Sequence, residues 1–208
     1  FAPNAKKIVV DVDVNELQKE TINIDLPIYC NLNRLLPELL QADVTPIAEN
    51  SRWLEYCGSL KKKYPIYQEK FSVSRAVNQY YFVNELQKLS DKDTIFVVGN
   101  SVATVCALQM RIQKEGQRMF GNVNCGSMGW DLPATVGAAV AAKSPVFCLT
   151  GDGSIQMNLQ ELQTIVTNHL PVKIVVFNNG GYQAIVQSQT NFFHRLAGCT
   201  KNTGLEMP

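Results

Sequence analysis

The sequence predicts an α/β protein: a parallel-sheet, three-layer sandwich preceded by the tail of another α/β domain. Three observations carry this. Thr94–Val98, Pro145–Thr150 and Val172–Phe177 are continuous apolar runs, the pattern of strands buried on both faces. Helix-length stretches separate them, as the crossovers between parallel strands require. Each run ends in glycine and small polar residues: Gly99-Asn100-Ser101, Gly151-Asp152-Gly153-Ser154 and Asn178-Asn179-Gly180-Gly181-Tyr182.

Taken in order, Lys7–Val12 (KIVVDV) is a β-branched strand, with no methionine start and no preceding structure to pair with it, so a missing upstream region is expected. Asp13–Glu20 carries helix formers, Ile22–Ile28 is extended around Pro27, and Asn33–Gln41 has the period of an amphipathic helix. Residues 1–42 therefore read as the end of one domain. Residues 43–71 form a connecting segment with a helix at about Ser51–Lys62, whose Lys61–Lys63 run is a solvated helix end. Residues 72–208 form the second domain. It has helices at Ser74–Leu89, Val102–Gln113, Leu132–Ala142 and Ile155–His169, and a short strand at Met119–Val123 beside the three apolar runs. Asn191–Pro208 shows no period, and truncation is expected there as well.

Composition excludes several classes of function. Of 208 residues 46% are hydrophobic, enough for a real core, and 19 basic against 18 acidic residues give a net charge of +1. Such a balance leaves no electrostatic footprint for nucleic acid or an anionic membrane. No apolar run approaches the roughly 20 residues of a membrane span, and no secretory pattern opens the chain, so a cytoplasmic protein is expected. Six cysteines lie scattered without metal-ligand spacing, several inside apolar runs, and are expected to be reduced and mostly buried.

Ligands of an open parallel sheet sit beyond the carboxyl ends of its strands. A helix of about 15 residues, roughly 22 Å long, suits one return between the second and third apolar runs, which brings Asp152 and Asn179 to one edge. A carboxylate, an amide oxygen and the Gly181 carbonyl make a hard oxygen set of the kind that holds magnesium through a substrate's phosphates. Gly151 and Gly153 allow close backbone approach, while Ser154 and the following amides face the anion. Either turn alone is equally well explained by conformational preference. With Asp152 in a loop, Asp152→Ala is expected to abolish metal-dependent binding and leave the fold intact.

The Gly-Asp-Gly followed by Asn-Asn pairing resembles the signature of thiamine-diphosphate enzymes. Gly126-Ser127-Met128-Gly129-Trp130-Asp131-Leu132-Pro133 is similar to the GxMGxxLP stretch of the acetolactate synthase, pyruvate oxidase and pyruvate decarboxylase superfamily. This resemblance implies the thiamine-diphosphate-binding fold, with residues 1–42 ending the central domain and 72–208 forming most of the diphosphate domain. It implies a binding surface of Gly99, Asn100, Ser101, Gly126, Ser127, Met128, Gly151, Asp152, Gly153, Ser154, Asn179, Gly181 and Tyr182 for thiamine diphosphate, with magnesium on Asp152, Asn179 and Gly181. Met128 then matches the wedge that bends the cofactor, and the Gly126 carbonyl accepts from its exocyclic amine. The reaction implied is decarboxylation or carboligation of a 2-keto acid in a homodimer or tetramer, with FAD possible in the parent.

The activating glutamate of the family belongs to a pyrimidine-binding domain, and no glutamate here takes that role; Glu85 and Glu161 read as helix-surface residues. The chain alone is therefore expected to be inactive. Gly99-Asn100-Ser101 departs from the acetolactate synthase pattern, which leaves the substrate open. GGYQAIVQSQTNFF also resembles thiamine enzymes of surface-sugar biosynthesis. A non-catalytic relative is a third reading, disfavoured by the presence of Asp152, Asn179 and Met128. His169, at a helix carboxyl end, and His194 have no assigned chemistry.

Overall fold

The computed structural model describes residues 3–42, 50–73, 75–110, 114–142 and 144–207. The chain divides into two compact units, residues 1–62 and 63–208.

In the first unit, β1 (Ile8–Asp11) and β2 (Leu26–Tyr29) pair in parallel, Ile8 opposite Leu26. The opening strand thus finds its partner downstream, in the extended stretch around Pro27. Between them the run of helix formers yields one turn, α1 (Val14–Leu17), whose cap Asp13 accepts from the Asn15 amide at 2.8 Å. Asn31 caps α2 (Leu32–Gln41) in the same way, on the Asn33 amide at 2.8 Å. The helix α3 (Asn50–Lys63) follows, with the lysine run in its exposed last turn.

The second unit carries a four-stranded parallel sheet in the order β4-β3-β5-β6, formed by β3 (Ile95–Val98), β4 (Arg118–Gly121), β5 (Val146–Gly151) and β6 (Val172–Phe177). Ile95 lies opposite both Arg118 and Val146, and Gly151 opposite Phe177. Alternation along β3 divides the core. Phe96 and Val98 join Val83, Ala103, Cys106, Ala107 and Leu149 under α4 (Gln79–Leu89) and α5 (Ser101–Met110). Ile95 and Val97 join Ala139 and Val146 under α6 (Asp131–Ala141). Helices on both faces make the expected three layers. Only β3 and β5 are central, however. β6 is an edge strand with Lys173 and Val176 exposed, so its apolar run is covered less than its continuity predicts.

Three elements differ from the sequence reading. The expected 155–169 helix is broken into α7 (Asp152–Ile155), a 3-10 turn at Gln156–Asn158 and α8 (Glu161–Thr167). Side chains explain the break: Gln156 Nε2 donates to the Asp152 carbonyl at 2.9 Å, competing with the helical ladder, and Asn158 Nδ2 ties the turn to the Gly129 carbonyl at 2.6 Å. The fourth helix starts at Gln79 because Asn78 caps it, accepting from the Tyr80 amide at 2.9 Å; the expected start at Ser74 lies outside the described residues, as does the end of the next helix at 111–113. Beyond β6 lie α9 (Gln183–Ser188), a stretch to which no element is assigned from sequence, and a π-helical turn at Gln189–Phe193 that runs into the aperiodic Asn191–Pro208 segment. No described helix is long and apolar enough to cross a membrane.

Candidate active site

A cleft of about 230 Å³ opens at the carboxyl ends of the strands. After β3 it is lined by Asn100 and Ser101, and before α6 by Gly126 and Met128. After β5 it is lined by Gly151, Asp152, Gly153 and Ser154, and after β6 by Asn179, Gly181 and Tyr182. Of the thirteen residues singled out in the sequence, Gly99 and Ser127 do not line it. Gly99 is buried behind, and Ser127 is exposed with its hydroxyl accepting from Asn122 Nδ2 at 3.2 Å. Parallel pairing of β5 with β6 is what brings Asp152 and Asn179 together, since Gly151 and Phe177 end the two strands side by side.

Asp152 is not in a loop. It opens α7 and is only 6% exposed. Its Oδ2 accepts from the amides of Gly180 and Gly181, both at 2.9 Å, and Oδ1 from the Gly153 amide at 2.9 Å. The carboxylate therefore ties the two strand-end turns together, and its removal would leave the buried Gly153 and Gly181 amides without their acceptor, while Gly180 keeps Asn178 Oδ1 at 3.1 Å. Gly181 is locked from the other side. It bridges Thr200 in antiparallel fashion, its φ is +136°, and an added Cβ would lie 2.3 Å from the Cys199 carbonyl oxygen. The neighbouring Tyr182 amide donates to that same carbonyl at 3.0 Å. Exposed Asn179 uses its backbone carbonyl to accept from Gln183 Nε2 at 3.1 Å.

Opposite, Gly126 has φ +59° and its carbonyl accepts from Asn100 Nδ2 at 3.0 Å, linking the loops after β3 and before α6. Ser101 itself holds a left-handed φ of +52° at the start of α5. Met128 is half-buried at the cleft wall. The Ser154 hydroxyl turns inward, donating to Asp131 Oδ2 at 3.0 Å and accepting from the Gly129 amide at 2.9 Å. With α7 only four residues long, any anion here meets turn amides rather than the dipole of a long helix.

The sequence reading missed Asp131 and Asn158, which hold the cleft's backbone from behind, and Gln183, which lines the cleft. The signal for Asp131 was a carboxylate inside an otherwise apolar stretch, Trp130-Asp131-Leu132-Pro133. Beneath the cleft, burial pushes the Cys148 thiol up to about 12, helped by the Asp131 charge and opposed by a hydrogen bond with Thr135. Burial also raises the Cys106 thiol to about 12. All six cysteines are free thiols: Cys106, Cys148 and Cys199 are buried, Cys30 and Cys57 half-buried, and Cys125 exposed. Glu85 pairs with Lys88 at 2.7 Å on an exposed helix face; His169 and His194 hold left-handed φ values of +49° and +52° at element ends.

The donor set fits a hard dication. The Asp152 carboxylate, the Asn179 amide oxygen and the Gly181 carbonyl are hard oxygen donors on residues lining the same cleft. Asp152 uses three of the roughly four acceptor positions of a carboxylate, which leaves capacity for a metal bond.

Comparison with known proteins places these features in a family. The chain is 31% identical over 214 residues to the acetolactate synthase large subunit of Corynebacterium glutamicum, an alignment covering 100% of this chain and 34% of the relative. It is 29% identical over 198 residues to the acetolactate synthase of Mycobacterium bovis, covering 93% of this chain and 32% of the relative. Against the acetolactate synthase isozyme 1 large subunit of Escherichia coli K12 it is 29% identical over 197 residues, covering 94% and 34%. The chain thus spans about a third of the length of these curated relatives. The family model described as thiamine pyrophosphate enzyme, C-terminal TPP binding domain, matches residues 77–207, and the chain belongs to that family.

Proposed function

We propose that this chain supplies the diphosphate-binding half of an acetolactate synthase-like carboligase or lyase acting on a 2-keto acid. Magnesium would be held by Asp152, the Asn179 side chain and the Gly181 carbonyl. The observation that carries the reading is the convergence of Asp152 and Asn179 from neighbouring parallel strands on one cleft, with Gly126 and Met128 in the facing loop. Thiamine diphosphate supplies the electron sink for such chemistry when bound. The chain's own residues do the positioning. Asp152 fixes the glycine turn through its two amide contacts, Asn100 holds the Gly126 carbonyl, which would accept from the cofactor's exocyclic amine, and Met128 would supply the apolar wedge.

Asp152 is the only carboxylate among the described residues lining the cleft, and it is committed to backbone amides. The resemblance puts the activating glutamate on a separate domain, on another subunit of a homodimer or tetramer, so the 208-residue chain alone should not turn over pyruvate. The similarity of the relatives' names favours acetolactate synthesis over surface-sugar chemistry as the starting assay. Exposed Asn179 gives the cleaner test, since truncating it disturbs no buried packing. In calorimetric titrations of the intact protein, Asn179→Ala should weaken magnesium-dependent thiamine diphosphate binding by about tenfold or more, the loss of one metal bond of about 1.4 kcal/mol. Equal affinities for the two proteins would overturn the metal assignment.

A further inference from the structure

Asp131 is a fully buried carboxylate, 0% exposed, and the metal set does not use it. Its Oδ1 accepts from the Leu132 amide at 3.0 Å, at the start of α6. Its Oδ2 accepts from the Ser154 hydroxyl at 3.0 Å, and Ser154 Oγ in turn accepts from the Gly129 amide at 2.9 Å. Oδ2 also fills the space beside Gly99, where an added Cβ would lie 2.3 Å away. One carboxylate thus sits where the turns after β3 and β5 and the loop before α6 meet. No salt bridge to it is present among the described residues. A buried charge held by hydrogen bonds alone is expensive unless the arrangement it fixes is needed.

Resting on the reading of the cleft given above, we propose that Asp131 is a positioning residue that sets the spacing between the Met128 wedge and the Asp152 metal anchor. Gly129 directly follows Met128, and both of its backbone groups are held by side chains from the segment that Asp152 opens: the amide by Ser154 and the carbonyl by Asn158 at 2.6 Å. Asp131 decides the direction of the first bond. Because the carboxylate only accepts, the Ser154 proton must point at it, which fixes the hydroxyl with its lone pairs turned toward the Gly129 amide. An asparagine at 131 can present its amide group to Ser154 instead, which frees the hydroxyl to rotate and loosens its hold on the Gly129 amide. The same commitment withdraws the Ser154 hydroxyl from the cleft, so it donates nothing to a bound anion.

Two measurements on the intact protein and on Asp131→Asn decide the matter. In amide hydrogen exchange without cofactor, Gly129 should lose protection by about tenfold while the Gly181 amide, held by Asp152, keeps it. In calorimetry with magnesium, affinity for thiamine diphosphate should fall by about tenfold while affinity for inorganic diphosphate stays unchanged, because only the larger ligand spans from the metal anchor to the wedge. Ser154→Ala should reproduce both effects and serves if Asp131→Asn does not fold. A general structural role would weaken both ligands together, or change only the melting temperature. That result, or unchanged Gly129 exchange in both variants, overturns the proposal. Absence of thiamine diphosphate binding by the unmodified protein would instead sink the reading of the cleft, and the exchange of Gly129 would still judge Asp131.

Discussion

Met128 and Asp152 look alike in sequence, each a single residue in a motif, but the structure gives them opposite energetic weights. Met128 is half-buried and faces the cleft, so Met128→Ala removes little packed surface. Its expected stability loss is about 1 kcal/mol, against about 2 to 5 for a methionine enclosed in a core. The accompanying effect should appear in the intact enzyme as slower proton exchange on the cofactor's reactive carbon. A large melting loss with normal exchange would show the side chain to be plain core. Asp152→Ala, by contrast, should lower both metal-dependent binding and stability, because the buried Gly153 and Gly181 amides lose their acceptor. The sequence brought the residue forward as a candidate, yet not this second duty, since nothing local to Gly-Asp-Gly shows that Gly180 and Gly181 will donate to it.

At the scale of elements, the turn after β6 is held between two anchors that are remote in sequence. Asp152 grips its amides from one side, and the Cys199–Thr200 backbone closes on Gly181 from the other. Gly181→Ala meets both a φ of +136° and a carbonyl oxygen 2.3 Å from the new Cβ. It should therefore cost more than about 1 kcal/mol and loosen the bridge to Thr200. Chemical denaturation, together with amide exchange at Tyr182, checks this; a variant as stable as the parent with Tyr182 still protected would show that the bridge does not constrain the turn. Asn191–Pro208 shows no period in sequence because its order comes from such contacts. Thr200 and Thr203 cap one another, and Gln189 reaches Ala197, with no hydrophobic period to announce either.

For the whole chain, the buried thiols of Cys106 and Cys148 predict alkaline sensitivity. Burial raises both from an ordinary 9.0 to about 12, so the folded chain holds its protons more tightly than the unfolded one. Their contribution to stability is complete below pH 9.0 and is lost as pH rises toward about 12. Melting temperatures between about pH 8 and about pH 11 should fall less steeply for Cys148→Ala than for the parent, since the small cavity it leaves is independent of pH. Parallel slopes would show that Cys148 does not contribute to this dependence.

The sequence by itself determined the parallel sheet, the ends of its strands and most of the cleft lining. Those features follow from local patterns: apolar runs for β3, β5 and β6, and the glycine-rich turns that a strand's end requires. The three-dimensional structure decided what each turn is tied to. The break after α7 arises because Gln156 and Asn158 bond backbone groups rather than solvent, and Asn158 reaches a loop 29 residues away. The inward turn of Ser154 depends on Asp131, 23 residues earlier in the chain. The exposure of β6 depends on which strand lies beside it. Hydrogen bonds of this kind are set by sequence-distant partners meeting at the sheet's carboxyl edge, so no window of sequence contains the information that fixes them.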